Sequence, residues 1–279
     1  MTVTSADFGY VSNLVMARSA IVLSPGKEYL VESRLLPLAR QSGLASVADL
    51  VARLRAAPTA PLAGKVVEAM TTNETSWFRD SHPFALLKNT LLPQLAQSRA
   101  AERRIRVWSA AASTGQEAYS IAMLLQEWLP AHPGWSATIT ATDLSEEVLT
   151  QARSGLYSQL EVNRGLPAPM LVKHFTRAGT QWQVSPALRA MVQFRALNLA
   201  APFPALGAFD IVFCRNVLIY FDTATRAQVL GRITSTMRPD GALVLGAAET
   251  TVNVANDLER VQVGQAAYHR LRSSGRTTS

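Results

Sequence analysis

The chain has 279 residues, of which 48% are hydrophobic and 17% charged, a composition that excludes a disordered chain and can supply one large core with a smaller accessory domain. The N-terminus lacks a basic segment followed by an apolar core, and no apolar stretch is long enough to span a bilayer, so we expect a cytoplasmic protein without membrane insertion. The single cysteine, Cys214, excludes an internal disulfide and a cysteine-based zinc cluster, whereas the formal charge of +7 indicates an acidic partner: nucleic acid, a membrane surface or a carboxylate-rich protein.

The first quarter of the chain has a helical pattern. Residues 7–69 contain no convincing strand, and prolines break the pattern at residues 24–26 and 57–61. We therefore expect a small helical domain at residues 1–71.

The helix predicted after the first break carries a row of cations. Lys27 and Arg34 lie two turns apart on one face, with Arg40 beyond them, while Glu28 and Glu32 dilute the positive charge. The row is either a docking face for an acidic partner or an ordinary solvated helix face.

Beyond residue 104, strand-like runs alternate with helical ones, a pattern typical of a mostly parallel sheet with crossover helices. We place this α/β domain at residues 90–272, after a linker at residues 72–89, and we expect a disordered tail at residues 273–279. The runs are, in chain order, RIRVWSA, EAYSIAMLLQEWL, ATITATD, SEEVLTQARSG, MVQFRAL, FDIVFC, ATRAQVLGRITSTM and ALVLGAA.

Small residues follow the first of these strands, at residues 111–115, and would let a ligand approach the backbone. The segment lacks the glycine spacing of a dinucleotide loop and the Lys and Ser/Thr of a P-loop, so a cationic or neutral nucleoside fits better than a phosphate. Glu117 stands where the next helix begins. It either contacts this ligand or is stabilised there by the helix N-terminus alone.

Polar residues also follow the next two strands. Asp143 ends the second strand, where an acidic side chain can accept hydrogen bonds from ribose hydroxyls, or it is a turn residue before Ser145, which is expected to cap the next helix. Asn198 follows the run MVQFRAL, and a backbone or side-chain amide there would read an adenine edge, unless Asn198 is a simple loop residue.

The run FDIVFC reads as a strand buried on both faces and stops at two polar residues, Arg215 and Asn216. Open α/β sheets bind ligands beyond the carboxyl ends of their strands, so these side chains are ligand candidates. The alternative is a capped loop after an ordinary core strand.

Four segments together carry a family resemblance. They are TTNETSWFRD at residues 71–80, VWSAAASTGQEAYSIAM at 107–123, ATDLSEEVLTQARSGLY at 141–157 and FDIVFCRNVLIYFD at 209–222. In this order they resemble the signatures of the CheR family, the chemotaxis receptor glutamate methyltransferases.

The resemblance implies a fold and a reaction. The fold would be an all-α N-terminal domain followed by an α/β, Rossmann-like methyltransferase domain dependent on S-adenosylmethionine (SAM), with a small antiparallel β-subdomain inserted at about residues 156–190. The reaction would transfer methyl from SAM to glutamate side chains in the cytoplasmic helices of chemoreceptors, giving glutamyl methyl esters and S-adenosylhomocysteine. The basic helix face would meet these acidic helices, and in some family members the subdomain binds a receptor C-terminal peptide by strand addition.

The resemblance also implies site residues. Arg79 and Tyr220 would lie nearest the transferred methyl, although Tyr220 is alternatively an aromatic residue that packs after the strand. The residues around the cofactor would be Asn73, Thr75, Arg79, Glu117, Asp143, Asn198, Leu199, Arg215 and Asn216.

The chemistry needs few protein groups. Glutamate has a pKa of about 4.3 and is already an anion at neutral pH, so no general base is required. Arg79 would orient the carboxylate of the substrate or that of the cofactor with its planar guanidinium, and the Tyr220 hydroxyl would make a hydrogen bond near the reacting centre. The four histidines show no ligand-like spacing, and we expect no metal.

Two other functions compete with this prediction. A nucleic-acid methyltransferase would explain the basic charge, but its amino-group acceptor calls for an Asp/Asn-Pro-Pro-Tyr/Phe loop where this chain has Arg215-Asn216-Val217-Leu218. A non-catalytic SAM-binding regulator would bind the cofactor without transferring methyl. We expect no nucleic-acid partner, and we expect a monomer.

Overall fold

The computed structural model describes residues 3–58 and 61–272, so the tail predicted at residues 273–279 lies outside the described residues. Helices account for all regular structure in the described part of the N-terminal region. Their bounds are α1 Ser5–Ser19, α2 Glu28–Gln41, α3 Val47–Ala56 and α4 Pro61–Met70.

Side-chain caps and apolar spacing explain where these four helices form. Thr4 and Ser46 cap α1 and α3 by accepting the backbone N–H groups of Asp7 and Asp49. Apolar residues three or four positions apart give each helix one buried stripe, and the stripes pack into a single core. This core contains Val11, Val15, Val31, Leu35, Ala39, Leu50, Leu54, Val66 and Met70.

A seven-stranded sheet forms the centre of the second region, in the order β6-β2-β1-β7-β8-β10-β9. The pairs from β6 to β8 are parallel, whereas β10 pairs antiparallel with β8 and β9. The strands are β1 Arg104–Ala110, β2 Ser136–Asp143, β6 Val192–Ala196, β7 Phe209–Cys214, β8 Met237–Leu245, β9 Leu258–Val263 and β10 Ala266–Leu271.

The predicted runs omit β9 and β10. This hairpin turns at Gly264, which has φ +56°, and β9 forms the edge of the sheet. Neither strand has a continuous apolar run such as the one that marks β7.

Helices cover the sheet. They are α5 His82–Leu86, α6 Leu92–Ser98, α7 Gln116–Trp128, α8 Glu146–Ser154, α11 Pro186–Met191 and α12 Thr223–Ser235. A π-helical turn at Leu87–Leu91 joins α5 to α6, so position 89, the predicted end of the linker, lies inside a continuous helical run. Among the helices described, none has both the length and the hydropathy needed to cross a membrane.

A second, three-stranded antiparallel sheet lies within the insertion predicted at residues 156–190. It consists of β3 Leu156–Ser158, β4 Phe175–Ala178 and β5 Gln181–Val184, in the order β3-β5-β4, with the short helices α9 Gln159–Asn163 and α10 Ala168–His174. The predicted fold class, an all-α domain followed by an α/β domain with a small antiparallel insertion, is confirmed.

The insertion packs against the linker through aromatic rings. Trp77 makes edge contacts with Tyr157 and Phe175, at centroid distances of 4.9 and 5.3 Å. Gly165 lies against the linker backbone, where an added Cβ would be 2.3 Å from the carbonyl oxygen of Trp77. A side chain at position 165 would therefore separate the insertion from the linker.

Candidate active site

The sheet reverses its direction of winding between β1 and β7, and a pocket opens there at the carboxyl ends of the parallel strands. This is the usual ligand site of an open α/β sheet. The linker, the N-terminal domain and the loops after β1, β2, β6 and β7 contribute to its lining. Among the lining residues are all ten that the sequence predicts for the cofactor or the methyl acceptor: Asn73, Thr75, Arg79, Glu117, Asp143, Asn198, Leu199, Arg215, Asn216 and Tyr220.

Asp143 is the buried acid at the end of β2. One of its carboxylate oxygens accepts the N–H of Ser113 at 2.8 Å, and the other accepts the N–H of Ser145 at 3.0 Å. Burial raises the pKa of Asp143, and these backbone hydrogen bonds oppose the shift. Each oxygen keeps a further lone pair for a ligand hydroxyl. Ser145 itself caps α8, as predicted.

Glu117 lies in the first turn of α7 and links two strands of the sheet. Its Oε1 accepts a hydrogen bond from the Ser109 hydroxyl on β1 at 2.8 Å, and its Oε2 accepts one from Arg215, after β7, at 2.9 Å. Glu117 lines the pocket and lies at a helix N-terminus, so its carboxylate is stabilised there, and its contact with a ligand stays a prediction.

Arg215 is buried, with only 1% of its side chain exposed, and its guanidinium is used inside the protein. Besides Glu117, it donates through Nη2 to the carbonyl oxygen of Arg79 at 2.8 Å and to Asp80 Oδ2 at 2.7 Å. The guanidinium also lies over the ring of Phe84. Arg215 thus fastens the turn that carries Arg79 to the end of β7.

The turn around Arg79 has a strained backbone. Phe78, Asp80 and Ser81 have φ values of +48°, +67° and +46°, a region that residues other than glycine rarely occupy. Arg79 is partly buried and donates one hydrogen bond, from Nη1 to the carbonyl oxygen of Glu74 at 3.0 Å. The turn presents its guanidinium to the pocket.

Backbone strain also occurs elsewhere in the pocket lining. Ala111 and Ser113, after β1, have φ +59° and +52°, and Asn216, after β7, has φ +58°. The Ser113 hydroxyl donates to the carbonyl oxygen of Asn73 at 2.7 Å, which fixes the linker against this loop. Strain of this kind persists only where surrounding contacts impose it, and it concentrates at functional sites.

Asn198 binds the N-terminal domain through its side chain. Its amide nitrogen donates to the carbonyl oxygen of Arg18 at 2.7 Å, and its Oδ1 accepts the N–H of Ala200 at 2.9 Å. The side-chain amide is therefore engaged within the protein, and we keep only a backbone contact at Asn198 and Leu199 as the proposed adenine reader.

The N-terminal domain closes one side of the pocket, which the sequence does not predict. Ser19 and Ile21, at the end of α1, line the pocket, and Ile21 packs against the core of the α/β domain. The N–H of Val22 donates to the carbonyl oxygen of Tyr220 at 2.9 Å. No local pattern distinguishes such residues from ordinary helix-end residues, because their role depends on how the two domains pack.

The predicted basic row does not line this pocket. Arg34 donates to the carbonyl oxygens of Met70 and Thr71 at 2.7 and 2.9 Å and to the Thr72 hydroxyl at 3.0 Å, so it caps the end of α4. Lys27 and Arg40, at the two ends of α2, are exposed. The docking hypothesis therefore depends mainly on these two side chains.

Other reactive groups in the described ranges do not form a second centre. Residues 3–58 and 61–272 contain no cluster of three His, Cys, Asp or Glu side chains that could hold a metal ion. Cys214 is fully buried at the end of β7, and burial raises the pKa of its thiol well above the usual value, as for a core residue.

Comparison with known proteins identifies the family. The model described as "CheR methyltransferase, all-alpha domain" matches residues 6–71, and "CheR methyltransferase, SAM binding domain" matches residues 73–267. Over 276 residues, 98% of this chain and 100% of each relative, the chain is 43% identical to chemotaxis protein methyltransferase Cher2 of Pseudomonas putida and 42% identical to chemotaxis protein methyltransferase 1 of Pseudomonas aeruginosa. It is 37% identical to the chemotaxis protein methyltransferase of Escherichia coli, over 89% of this chain and 86% of that protein. The resemblance predicted from four sequence motifs is confirmed, and the chain belongs to the CheR methyltransferase family.

Proposed function

We propose that this protein transfers methyl from SAM to glutamate side chains on the cytoplasmic helices of chemoreceptors, as a protein-glutamate O-methyltransferase of sensory adaptation. The observation that carries the proposal is the convergence of four distant motifs on one pocket, in a chain related over its whole length to chemotaxis protein methyltransferases.

The residues of the pocket suit a nucleoside with a cationic tail. Asp143 would accept hydrogen bonds from the ribose hydroxyls, and the Glu117 carboxylate would face positive charge. Asn216 lines the pocket with a partly exposed side chain, whose amide would hydrogen-bond to bound SAM. When bound, SAM supplies a methyl group on a sulfonium, whose sulfur leaves readily as a neutral thioether.

The acceptor carboxylate would attack this methyl directly. One of its oxygens forms the new bond to carbon while the sulfur–carbon bond breaks and its electron pair returns to sulfur, giving the methyl ester and S-adenosylhomocysteine. Opposite charges disappear as the bond forms, so the protein must exclude water and fix an in-line approach rather than activate the nucleophile. Arg79 would orient the carboxylate, and the Tyr220 hydroxyl would donate a hydrogen bond near the reacting atoms.

The charge of the protein supports an acidic helical partner. A net charge of +7 would speed encounter with acidic receptor helices, with Lys27 and Arg40 as exposed contacts. The outer strands β3 and β4 of the small sheet offer edges to which a receptor C-terminal peptide could add as a strand. We propose that the protein acts in the cytoplasm as a monomer, without a metal.

The test uses SAM labelled in its methyl group. The purified protein is incubated with cytoplasmic receptor fragments, and we expect label on the receptor that alkali releases as methanol. The control is a fragment whose methylated glutamates are replaced by glutamine under conditions without deamidation. Alkali-stable label on nucleic acid, or binding of SAM without transfer to any receptor fragment, would contradict the proposal.

A further inference from the structure

One carboxylate outside the four motifs accepts hydrogen bonds from the backbone of the loop after β7. Glu249, just beyond β8, accepts four backbone N–H groups. Its Oε2 accepts those of Asn216 at 2.9 Å and Gly246 at 2.7 Å. Its Oε1 accepts those of Val217 at 2.9 Å and Leu218 at 2.7 Å. We call this arrangement the Glu249 clamp.

The loop needs such an acceptor because β7 ends at Cys214 and its next N–H groups leave the sheet. Asn216 has a left-handed backbone, with φ +58°, and Val217 follows with φ −125° and ψ −36°. Successive N–H groups in such a conformation form a concavity that binds anions. In this protein the anion is a side chain of the same chain.

The chain around Glu249 is adapted to this contact. A Cβ at position 246 would lie 2.7 Å from Glu249 Oε2 and 2.9 Å from the backbone nitrogen of Asn216, so only glycine leaves room for the carboxylate. The N–H of Glu249 donates to the carbonyl oxygen of Gly246 at 3.0 Å and closes the turn that directs the side chain back to the loop.

The clamped loop carries several residues of the pocket, among them Asn216, Val217 and Tyr220. Asn216 is the second residue after β7, and Tyr220 ends the short 3₁₀ helix Leu218–Tyr220 that follows. Glu249 itself does not line the pocket. Its four hydrogen bonds therefore influence the reaction indirectly, by setting where pocket residues of this loop such as Asn216 and Tyr220 lie.

We propose that Glu249 is a positioning residue for methyl transfer, which holds Asn216 and Tyr220 in their productive places through the backbone of the loop after β7. The inference rests on the proposed function for its kinetic consequences, whereas the clamp itself is a property of the folded protein.

The experiment separates positioning from mere stabilisation by chemical rescue. Glu249→Ala leaves four N–H groups around a space that a small carboxylate such as formate can enter. We expect the variant to lose at least about tenfold in affinity for S-adenosylhomocysteine and in turnover, and formate to restore part of both losses. Chloride at equal ionic strength should restore less of either, because a single sphere cannot occupy the two oxygen positions that the four N–H groups face.

Glu259→Ala is the matched control, since Glu259 is on the edge strand β9 and pairs with Arg270 at 3.2 Å, far along the chain from the loop. It should keep wild-type affinity and turnover and show no response to formate. Wild-type behaviour of Glu249→Ala would overturn the proposal. So would a folded, impaired variant that formate does not restore.

If Glu249→Ala does not fold, a measurement on the unaltered protein still tests the Glu249 clamp on which the proposal depends. Hydrogen exchange at the amides of Val217 and Leu218 should be slow, because each donates to the clamp, and exchange at the rate of an open loop would overturn the proposal. Failure of the wild-type protein to bind S-adenosylhomocysteine would instead contradict the proposed function, while slow exchange would still support the clamp.

Discussion

Two arginines line the pocket in different environments. Arg215 is almost fully buried and contacts Glu117, Asp80 and the backbone of Arg79, so its charge is neutralised within the protein. Breaking a buried pair of this kind typically costs about 3–5 kcal/mol of stability. Arg79 has one backbone hydrogen bond and partial exposure, which leave the rest of its guanidinium for a ligand. Arg79 is therefore the arginine that we propose to orient a carboxylate.

Replacement of Arg79 tests this assignment. We expect Arg79→Ala to lower turnover at saturating SAM by about a hundredfold, because an acceptor that is not held in line reacts slowly. Tyr220→Phe removes only a hydroxyl and should lower turnover by about tenfold. Initial rates with a receptor fragment measure both, and Arg260→Ala, an exposed substitution on β9, is the control. Unchanged turnover in the Arg79 and Tyr220 variants would remove them from the reaction.

At the scale of elements, the pocket is assembled from segments that hold each other in strained conformations. The turn around Arg79 has three residues with positive φ, and the buried Arg215 fastens it through Asp80. Asp80 does not line the pocket, so it contributes by restraining the turn.

Loss of this restraint should affect turnover more than the binding of SAM. We expect Asp80→Ala to lower turnover by about tenfold, because the turn can relax and displace Arg79, while affinity for S-adenosylhomocysteine changes much less. Asp80→Asn keeps one acceptor for Arg215 and should recover part of the loss. Calorimetry and steady-state rates separate the two quantities, and equal losses in both would show that Asp80 acts on the whole pocket.

The connection between α1 and α2 is a second segment that shapes the pocket. Ile21 packs into the core of the α/β domain and lines the pocket, so Ile21→Asp should weaken donor affinity by about tenfold or more, because it places a charge in an apolar contact. The neighbouring Val22 is 44% exposed, and Val22→Asp should leave affinity within about twofold. Similar calorimetric affinities of the two variants would argue against a closed wall from the N-terminal domain.

At the scale of the whole molecule, two buried histidines make stability depend on pH. His174 and His269 are 2% and 4% exposed, and burial lowers the pKa of each below its usual value. In the unfolded chain both have a pKa of about 6.5. The unfolded state therefore binds more protons below that pH, and the free energy of unfolding decreases as the pH falls.

Urea unfolding between pH 7.5 and about pH 5.5 measures this dependence. We expect the midpoint to fall with pH in the wild-type protein and to fall less in the double variant His174→Gln, His269→Gln. His82→Gln, at an exposed position, should leave the slope unchanged. A double variant with the wild-type slope would show that other groups cause the dependence.

Much of this molecule follows from its sequence. Continuous apolar runs predict strands such as β7, the helical pattern of residues 7–69 predicts a helical domain, and Ser145 predicts the start of α8, because these signals depend on neighbours within one element. Polar residues at the ends of β2 and β7, and the four family motifs, predict which side chains line the pocket. The hairpin β9–β10 was not predicted, because neither of its strands has a continuous apolar run.

The tertiary structure decided how those residues are used. Arg215 is buried and donates to Asp80, the Asn198 side-chain amide donates to the carbonyl oxygen of Arg18, and Arg34 caps the end of α4. Each of these partners lies far away in the sequence. Likewise, only packing brings Ile21 to the pocket and Glu249 to the loop after β7. A sequence determines periodicity and the chemistry of each side chain, whereas burial and hydrogen-bond partners are set only when distant segments pack together.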